Sequence, residues 1–236
     1  MTIIFTHVPK VAGTTLKSRL ISPNFTESEI KEFKGIVDLI KNRNEDFSIL
    51  VGHNPFGMGQ FTSGKARYFT VLRDPIERSI SHYFFILQGA LHGKLTHNLE
   101  QRKTHLSTPL KDIFSINSAK RFAPATSWLI DNMQTRYTSG YMNSWRSKAS
   151  SRLLKTAMWN LRERYDCFGL QERFEDSLTV ISREFGWKVN PPAENKKSTY
   201  IPKNYSEVDL QAVKENNKLD QELFEFAKDL FRQRYG

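Results

Sequence analysis

Apolar positions fall in short runs through much of the chain and in helical stripes towards its end. Ile3-Ile4-Phe5, Phe47-Ser48-Ile49-Leu50-Val51 and Tyr68-Phe69-Thr70-Val71-Leu72 are brief and give way at once to polar or glycine positions. Strands buried on both faces read this way. Cys167-Phe168-Gly169-Leu170 has the same character. Elsewhere the period is that of a helix. It predicts helices over about Thr14–Ile21, stopped by Ser22-Pro23, and over Glu27 to Asn42, where Ile30, Phe33, Ile36, Val37 and Ile40 share a stripe. Further helices are expected from Pro75 onward, over Leu153–Tyr165 and Phe174–Phe185, and as an amphipathic cover over Leu219–Tyr235. Lys188–Ser206, rich in Pro, Asn and Lys, reads as loop. Strands alternating with helices, with few hairpin signals, predict an α/β fold: a central parallel β-sheet flanked by helices on both faces. Ligands of such sheets bind beyond the carboxyl ends of the strands. The residues after Thr6, after Gly52 and after Leu72 are therefore expected on one rim.

Length changes this picture little: 236 residues suit one domain, 1–236, with a large core. A hydrophobic content of 39%, with 17 Phe and 4 Trp, is that of an ordered globular chain. Charge adds more. The net +10 favours polyanionic partners, whether nucleic acid, anionic glycan, acidic lipid or a multiply charged nucleotide, and does not choose among them. The single cysteine, Cys167, excludes an intrachain disulfide framework and reads as an inert core thiol. No apolar run is long enough to span a membrane, and the first residues read as strand rather than signal peptide.

The candidate chemistry begins at Thr6-His7-Val8-Pro9-Lys10-Val11-Ala12-Gly13-Thr14-Thr15-Leu16. A short loop that enters a helix through Gly-Thr-Thr leaves main-chain N–H groups unpaired at the positive end of the helix dipole, which makes a P-loop-like anion cradle. Lys10 adds a mobile charge, and Thr14 and Thr15 add donors. The lysine lies three residues before the glycine, whereas a Walker A loop needs it just before the hydroxyl residue. The spacing fits a phosphate but not a magnesium nucleoside triphosphate. A plain strand–turn–helix corner, with Gly13 serving only the turn, is the competing reading.

These residues resemble the 5′-phosphosulfate loop of sulfotransferases that use 3′-phosphoadenosine 5′-phosphosulfate (PAPS). Pro-Lys-x-x-Gly-Thr-Thr is similar to the carbohydrate-sulfating branch, which includes the heparan 2-O-sulfotransferases. The resemblance implies that Lys10, Val11, Ala12, Gly13, Thr14 and Thr15 line the 5′-phosphate site, with Lys10 facing the oxygen that bridges phosphorus and sulfur. A second motif, Arg73-Asp74-Pro75-Ile76-Glu77-Arg78-Ser79-Ile80-Ser81, suits a capped helix: Asp74 at the N-cap, Pro75 first, Glu77 at the reciprocal capping-box position. Arg73 and Ser81 match the family's 3′-phosphate pair, and an arginine fork with a hydroxyl suits a phosphate dianion. A surface ion pair is the alternative for Arg73. The third motif, Gly52-His53-Asn54-Pro55, places a histidine at a strand's end, where its near-neutral pKa suits a general base. In the resembled branch this histidine takes the acceptor hydroxyl's proton. His7 is the rival base, though it better suits bracing the loop.

Weaker resemblances lie downstream. Asp131-Asn132-Met133-Gln134-Thr135-Arg136-Tyr137 resembles a family segment near acceptor and nucleotide. Gly169–Phe174 and Asn217–Phe224 resemble late structural motifs. Lys196 and Lys197 fall where the family closes a basic loop over the nucleotide, and Tyr200 and Trp128 are candidates to meet the adenine. The polar, basic segment 89–122 reads as an insertion beside the acceptor site. The expectation is thus a metal-free enzyme that moves a sulfuryl group from PAPS to a carbohydrate hydroxyl, with no nucleic-acid partner. Animal relatives are Golgi proteins with a leading anchor; this sequence shows none, and reads as a soluble, bacterial, cytoplasmic enzyme unless an anchor was removed. Two alternatives stand beside it: a P-loop kinase, and a non-catalytic basic module that binds nucleic acid or glycan.

Overall fold

In the computed structural model, residues 1–42, 45, 47–87, 111, 131–141, 149–192 and 205–236 are described. Among them the strands β1 (Thr2–Thr6), β2 (Ile30–Glu32), β3 (Ile49–Val51), β4 (Ala66–Leu72) and β5 (Cys167–Leu170) form one sheet in the order β2-β3-β1-β4-β5. Every pairing is parallel, as expected. β1 is central, with Ile3 opposite Ile49 on one side and Thr6 opposite Thr70 on the other. All carboxyl ends therefore face the same way, and the loops after β1, β3 and β4 share one rim.

The helices are α1 (Gly13–Leu16), α2 (Ile36–Lys41), α3 (Pro75–Leu87), α4 (Met133–Ser139), α5 (Ser151–Glu163), α6 (Phe174–Phe185), α7 (Glu207–Asn216) and α8 (Lys218–Tyr235). Strand alternation divides the core. Ile4, Leu50, Tyr68 and Phe168 pack with Leu154 and Leu161 of α5 and Leu223, Leu230 and Phe231 of α8. Ile3, Phe5, Ile49, Phe69 and Cys167 pack on the opposite side with Leu16, Leu20 and Ile21 after the first loop and Leu178 and Ile181 of α6. Both faces of the sheet are thus covered. Beyond Leu16 the first helix widens into a π-turn over Lys17–Ile21, closed by Ser22 N–H to the Lys17 carbonyl at 2.8 Å.

Two expectations are corrected. Glu27 to Asn42 is not one helix. It is a 3₁₀ turn (Glu27–Glu29), the edge strand β2 and the short α2. Thr26 and Glu29 close a capping box that spends itself in one turn, and Gly35, at φ 132°, adopts a backbone that breaks any continuous helix. The apolar stripe that suggested a helix is split: Ile30, Phe33 and Ile36 pack against the core, while Val37 is 67% exposed and Ile40 46%. β2 survives because Phe33 N–H still reaches the Val51 carbonyl at 2.8 Å, extending its pairing with β3. The second correction concerns α3. Asp74 Oδ1 caps Ile76 and Glu77 N–H at 2.9 Å each, but Glu77 does not reciprocate: the Asp74 N–H goes to Glu172 Oε1 at 2.7 Å. Glu77 turns instead towards Arg73, at 3.6 Å.

Cys167 lies in β5 with no exposed surface, and burial raises its thiol pKa well above the ordinary value. The native protein should therefore show no reaction with a disulfide reagent such as Ellman's, and one equivalent after denaturation. Rapid labelling of the native protein would contradict this placement.

Candidate active site

The loop from His7 to Ala12 leaves β1 with two residues in the left-handed region, Lys10 (φ 70°) and Ala12 (φ 65°). Left-handed residues alternating with ordinary ones turn successive N–H groups towards one concavity, a geometry that receives anions. The first helical bond is Leu16 N–H to the Ala12 carbonyl, 3.0 Å. The N–H groups of Gly13, Thr14 and Thr15 are left at the open end. Thr14 is exposed and Thr15 half-buried, whereas Val11 is fully buried, so only its main chain can reach a ligand there.

Gly13 is fixed by its neighbour. A Cβ there would lie 1.8 Å from His7 Nε2, so the imidazole rests directly on the glycine. The same ring stacks on Phe5 (4.9 Å between centroids), which stacks on Phe69 (4.7 Å). His7 thus joins the hydrophobic sheet to the loop, the bracing role expected of it. Its carbonyl lies 3.2 Å from His53 Nδ1, and the two rings are 4.5 Å apart. A carbonyl can only accept. His53 Nδ1 must therefore carry the proton, which leaves the Nε2 lone pair free on an exposed ring. Asn54, buried, fixes this corner by donating to the Phe5 and Gly52 carbonyls at 2.9 Å each.

Arg73 sits just past the end of β4. Its guanidinium Nη1 donates to the Lys10 carbonyl at 3.1 Å, so the second motif touches the first. Its Nε is buried without a hydrogen-bond partner among the described residues, a donor awaiting an acceptor. The Lys10 ammonium lies 4.1 Å from the centre of the Phe85 ring in a cation–π contact, with no carboxylate paired to it among the described residues. Ser81 is buried one turn before Phe85, on the same side of α3.

Charge is controlled mainly by burial. His7 is pushed down to about 3, first by lost hydration and then by the proximity of His53. His53, exposed overall but with its ring against His7, is lowered first by the hydration lost there, opposed by the His7 carbonyl and Glu32. His82, buried on α3, is held well below its ordinary value by burial and then by Arg78, His53 and Lys10. Lys10 is lowered by burial and then by Arg73. The rim therefore combines neutral imidazoles with cations, a setting for an anionic ligand and a proton acceptor together.

The structure brings together Lys10, Val11, Ala12, Gly13, Thr14, Thr15, His53 and Arg73, with Ser81 on the adjoining helix. Lys196, Lys197, Tyr200, Trp128 and, apart from residue 111, the segment 89–122 lie outside the described residues. Sequence reasoning missed Phe85, although it stands four residues after Ser81 on the same helical face.

An all-parallel α/β sheet with a loop of left-handed residues after its central strand and cations on the same rim defines a broad class of proteins. Within it, this chain belongs to the Sulfotransferase family, whose sequence profile matches residues 1–227. It is similar to heparan-sulfate 6-O-sulfotransferase 3 of Homo sapiens, 31% identical over 183 residues, which cover 71% of this chain and 38% of that protein. It is also similar to heparan-sulfate 6-O-sulfotransferase 1 of Cricetulus griseus, 30% identical over 189 residues, covering 72% and 46% respectively. The chain spans less than half the length of these relatives. Their names carry the 6-O position, where the sequence motifs had suggested the branch that includes 2-O enzymes. Among the described residues no helix is long and apolar enough to cross a membrane.

The neutral histidines set a pH dependence of stability. Unfolded, each would take up a proton near pH 6.5; folded, His7 does so only at about 3 and His82 well below 6.5. The unfolded chain thus binds more protons in this window, so stability falls as pH is lowered from about 7 to 5, by up to ~1.4 kcal/mol per pH unit for each of these two groups. The carboxylates Glu29 and Glu175, lowered below 4.5, titrate beneath that range, while the buried Asp220 carboxyl, raised by burial, acts in the opposite sense and offsets part of the histidine effect at the acid end. Denaturant midpoints across it test this, and a flat profile would mean that His7 and His82 are charged or hydrated in the fold.

Proposed function

We propose that this chain transfers the sulfuryl group of PAPS to a hydroxyl of a carbohydrate acceptor. The observation that carries the reading is the contact of Arg73 with the Lys10 carbonyl. It sets two anion-binding elements side by side, as a nucleotide with phosphates at both ends of its ribose demands. Gly13, Thr14 and Thr15, with the main chain of Lys10, Val11 and Ala12, would hold the 5′-phosphate; Arg73 and Ser81 would hold the 3′-phosphate. Family membership supports PAPS as the donor, and the names of the relatives support a glycan acceptor.

The reaction is an in-line displacement at sulfur. The acceptor oxygen forms a bond to sulfur while the bond from sulfur to the bridging oxygen breaks. Its electron pair stays on the 5′-phosphate of the leaving 3′,5′-adenosine bisphosphate. His53 Nε2 takes the acceptor's proton, its tautomer set by the His7 carbonyl. Lys10 swings from Phe85 to the leaving oxygen, where charge grows, and the loop N–H groups stabilise the same charge. Positioning and electrostatics supply the catalysis, as in phosphoryl transfer.

Thermal shift tests the ligand. The bisphosphate should raise the melting temperature at concentrations where ATP and an oligonucleotide do not; preference for ATP would favour a kinase, and for the oligonucleotide a binding module.

Lys10→Ala should lower transfer about a hundred- to a thousandfold, the usual loss for one transition-state charge contact, with the fold intact by circular dichroism. His53→Ala should lower it by roughly a hundred- to ten-thousandfold and leave bisphosphate affinity nearly unchanged. Retained activity with His53→Ala and lost activity with His7→Ala would reassign the base.

Only neutral imidazole accepts a proton, and His53 is held below the ordinary 6.5. The wild-type rate should therefore still exceed half its plateau at that pH and fall on further acidification. An acidic limb centred above the ordinary histidine value would contradict this.

A further inference from the structure

The ladder of β4 ends at Leu72, opposite Leu170. Among the described residues, the next peptide, that of Arg73, has no strand beside it to take its N–H and C=O. Both go to one side chain: Arg73 N–H donates to Gln134 Oε1 at 2.9 Å, and Gln134 Nε2 donates to the Arg73 carbonyl at 2.8 Å. The carboxamide thus acts as a one-residue substitute for a neighbouring strand, across 61 residues of sequence. It meets Arg73 where the side chain leaves the main chain, so it fixes the direction in which the guanidinium departs.

Gln134 is itself held without freedom. It is 1% exposed, and α4 is locked against α8 by exchanged caps. Asp220 accepts from Gln134 N–H at 3.0 Å and Thr135 N–H at 2.7 Å. In return Asn132, at φ 48°, accepts from Leu219 N–H at 2.8 Å and Asp220 N–H at 3.0 Å. Asp220 is fully buried, and the buried Arg78 guanidinium acts on it electrostatically, so moving either group away would cost that interaction.

We propose that Gln134 is a positioning residue of the nucleotide site: it holds the Arg73 peptide so that the guanidinium meets the 3′-phosphate, and it touches no ligand itself. This rests on the reading above, in which Arg73 binds that phosphate. Removing the clamp leaves Arg73 in place but free to swing, so affinity for a 3′-phosphate should fall while the rest of the nucleotide binds as before.

The test is calorimetry with 3′,5′-adenosine bisphosphate and with 5′-AMP on wild type, Gln134→Met, Arg73→Ala and the double variant. Methionine keeps the side-chain volume and removes both hydrogen bonds, and Gln134→Glu, which keeps only the acceptor, serves if Gln134→Met fails to fold. Two hydrogen bonds of ordinary strength suggest about a tenfold loss for the bisphosphate, against less than about twofold for AMP. The double variant should lose no more than Arg73→Ala alone, since Gln134 acts only through Arg73. In turnover, the donor KM should rise by the same factor with kcat little changed.

Equal losses for both nucleotides in the Gln134 variants, or additive losses in the double variant, would overturn the positioning role while Arg73 still discriminates. If Arg73→Ala itself weakens both nucleotides equally, the 3′-phosphate reading fails, and the proposal fails with it.

Discussion

At position 13 there is room for a hydrogen atom and nothing larger, because the imidazole of His7 occupies the volume that a Cβ would take. Much of the rim follows from that approach. The ring can lie there because Phe5 and Phe69 support it from within the sheet, and the loop can curl over it because Lys10 and Ala12 adopt left-handed backbone. With the ring fixed, the His7 carbonyl is fixed, and with it the tautomer of His53. A single close contact thus couples the curvature of an anion cradle to the protonation pattern of the candidate base.

The two cations of this rim are kept ready without a close carboxylate to neutralise them among the described residues. Lys10 rests on an aromatic face, and Arg73 rests on a main-chain carbonyl, with Glu77 only at 3.6 Å on an exposed side chain. Neither contact competes strongly with a phosphate, since an exposed ion pair contributes little and a ring or carbonyl carries no full charge. His7 and His82 are held neutral by burial and add no repulsion to the cations, and His53, lowered in the same direction, keeps an exposed ring able to accept a proton. Arg78, deeper still, is lowered to about 10 by burial against the opposing pull of Asp220, and belongs to the framework between α3 and α8 rather than to the site.

Much of this was legible in the sequence because it is local. Buried parallel strands are short apolar runs, and β1, β3, β4 and β5 lie where such runs lie. The loop and Arg73 were legible because their chemistry needs particular residue types at strand ends. β2 was not: three residues of edge strand carry no pattern of their own and exist only because β3 offers a partner. The stripe from Ile30 to Ile40 had the period of a helix, but its core-facing residues Ile30, Phe33 and Ile36 come from an edge strand, a loop and a short helix, and Val37 and Ile40 are exposed. α4 was too short to announce itself, and its meaning lies in contacts with Arg73 and Asp220, 61 and 86 residues away. Phe85 under Lys10 is hidden for the same reason: a pairing across tertiary space leaves no spacing to read.

The account turns on group transfer, not on binding alone. PAPS carrying labelled sulfur, incubated with the protein and a panel of glycans and simple sugars, tests it most directly. The account predicts that label appears covalently on a carbohydrate, with one equivalent of 3′,5′-adenosine bisphosphate released for each sulfuryl group moved. Tight binding of PAPS with no label transferred to any carbohydrate, or transfer of a phosphoryl group from ATP in its place, would contradict it.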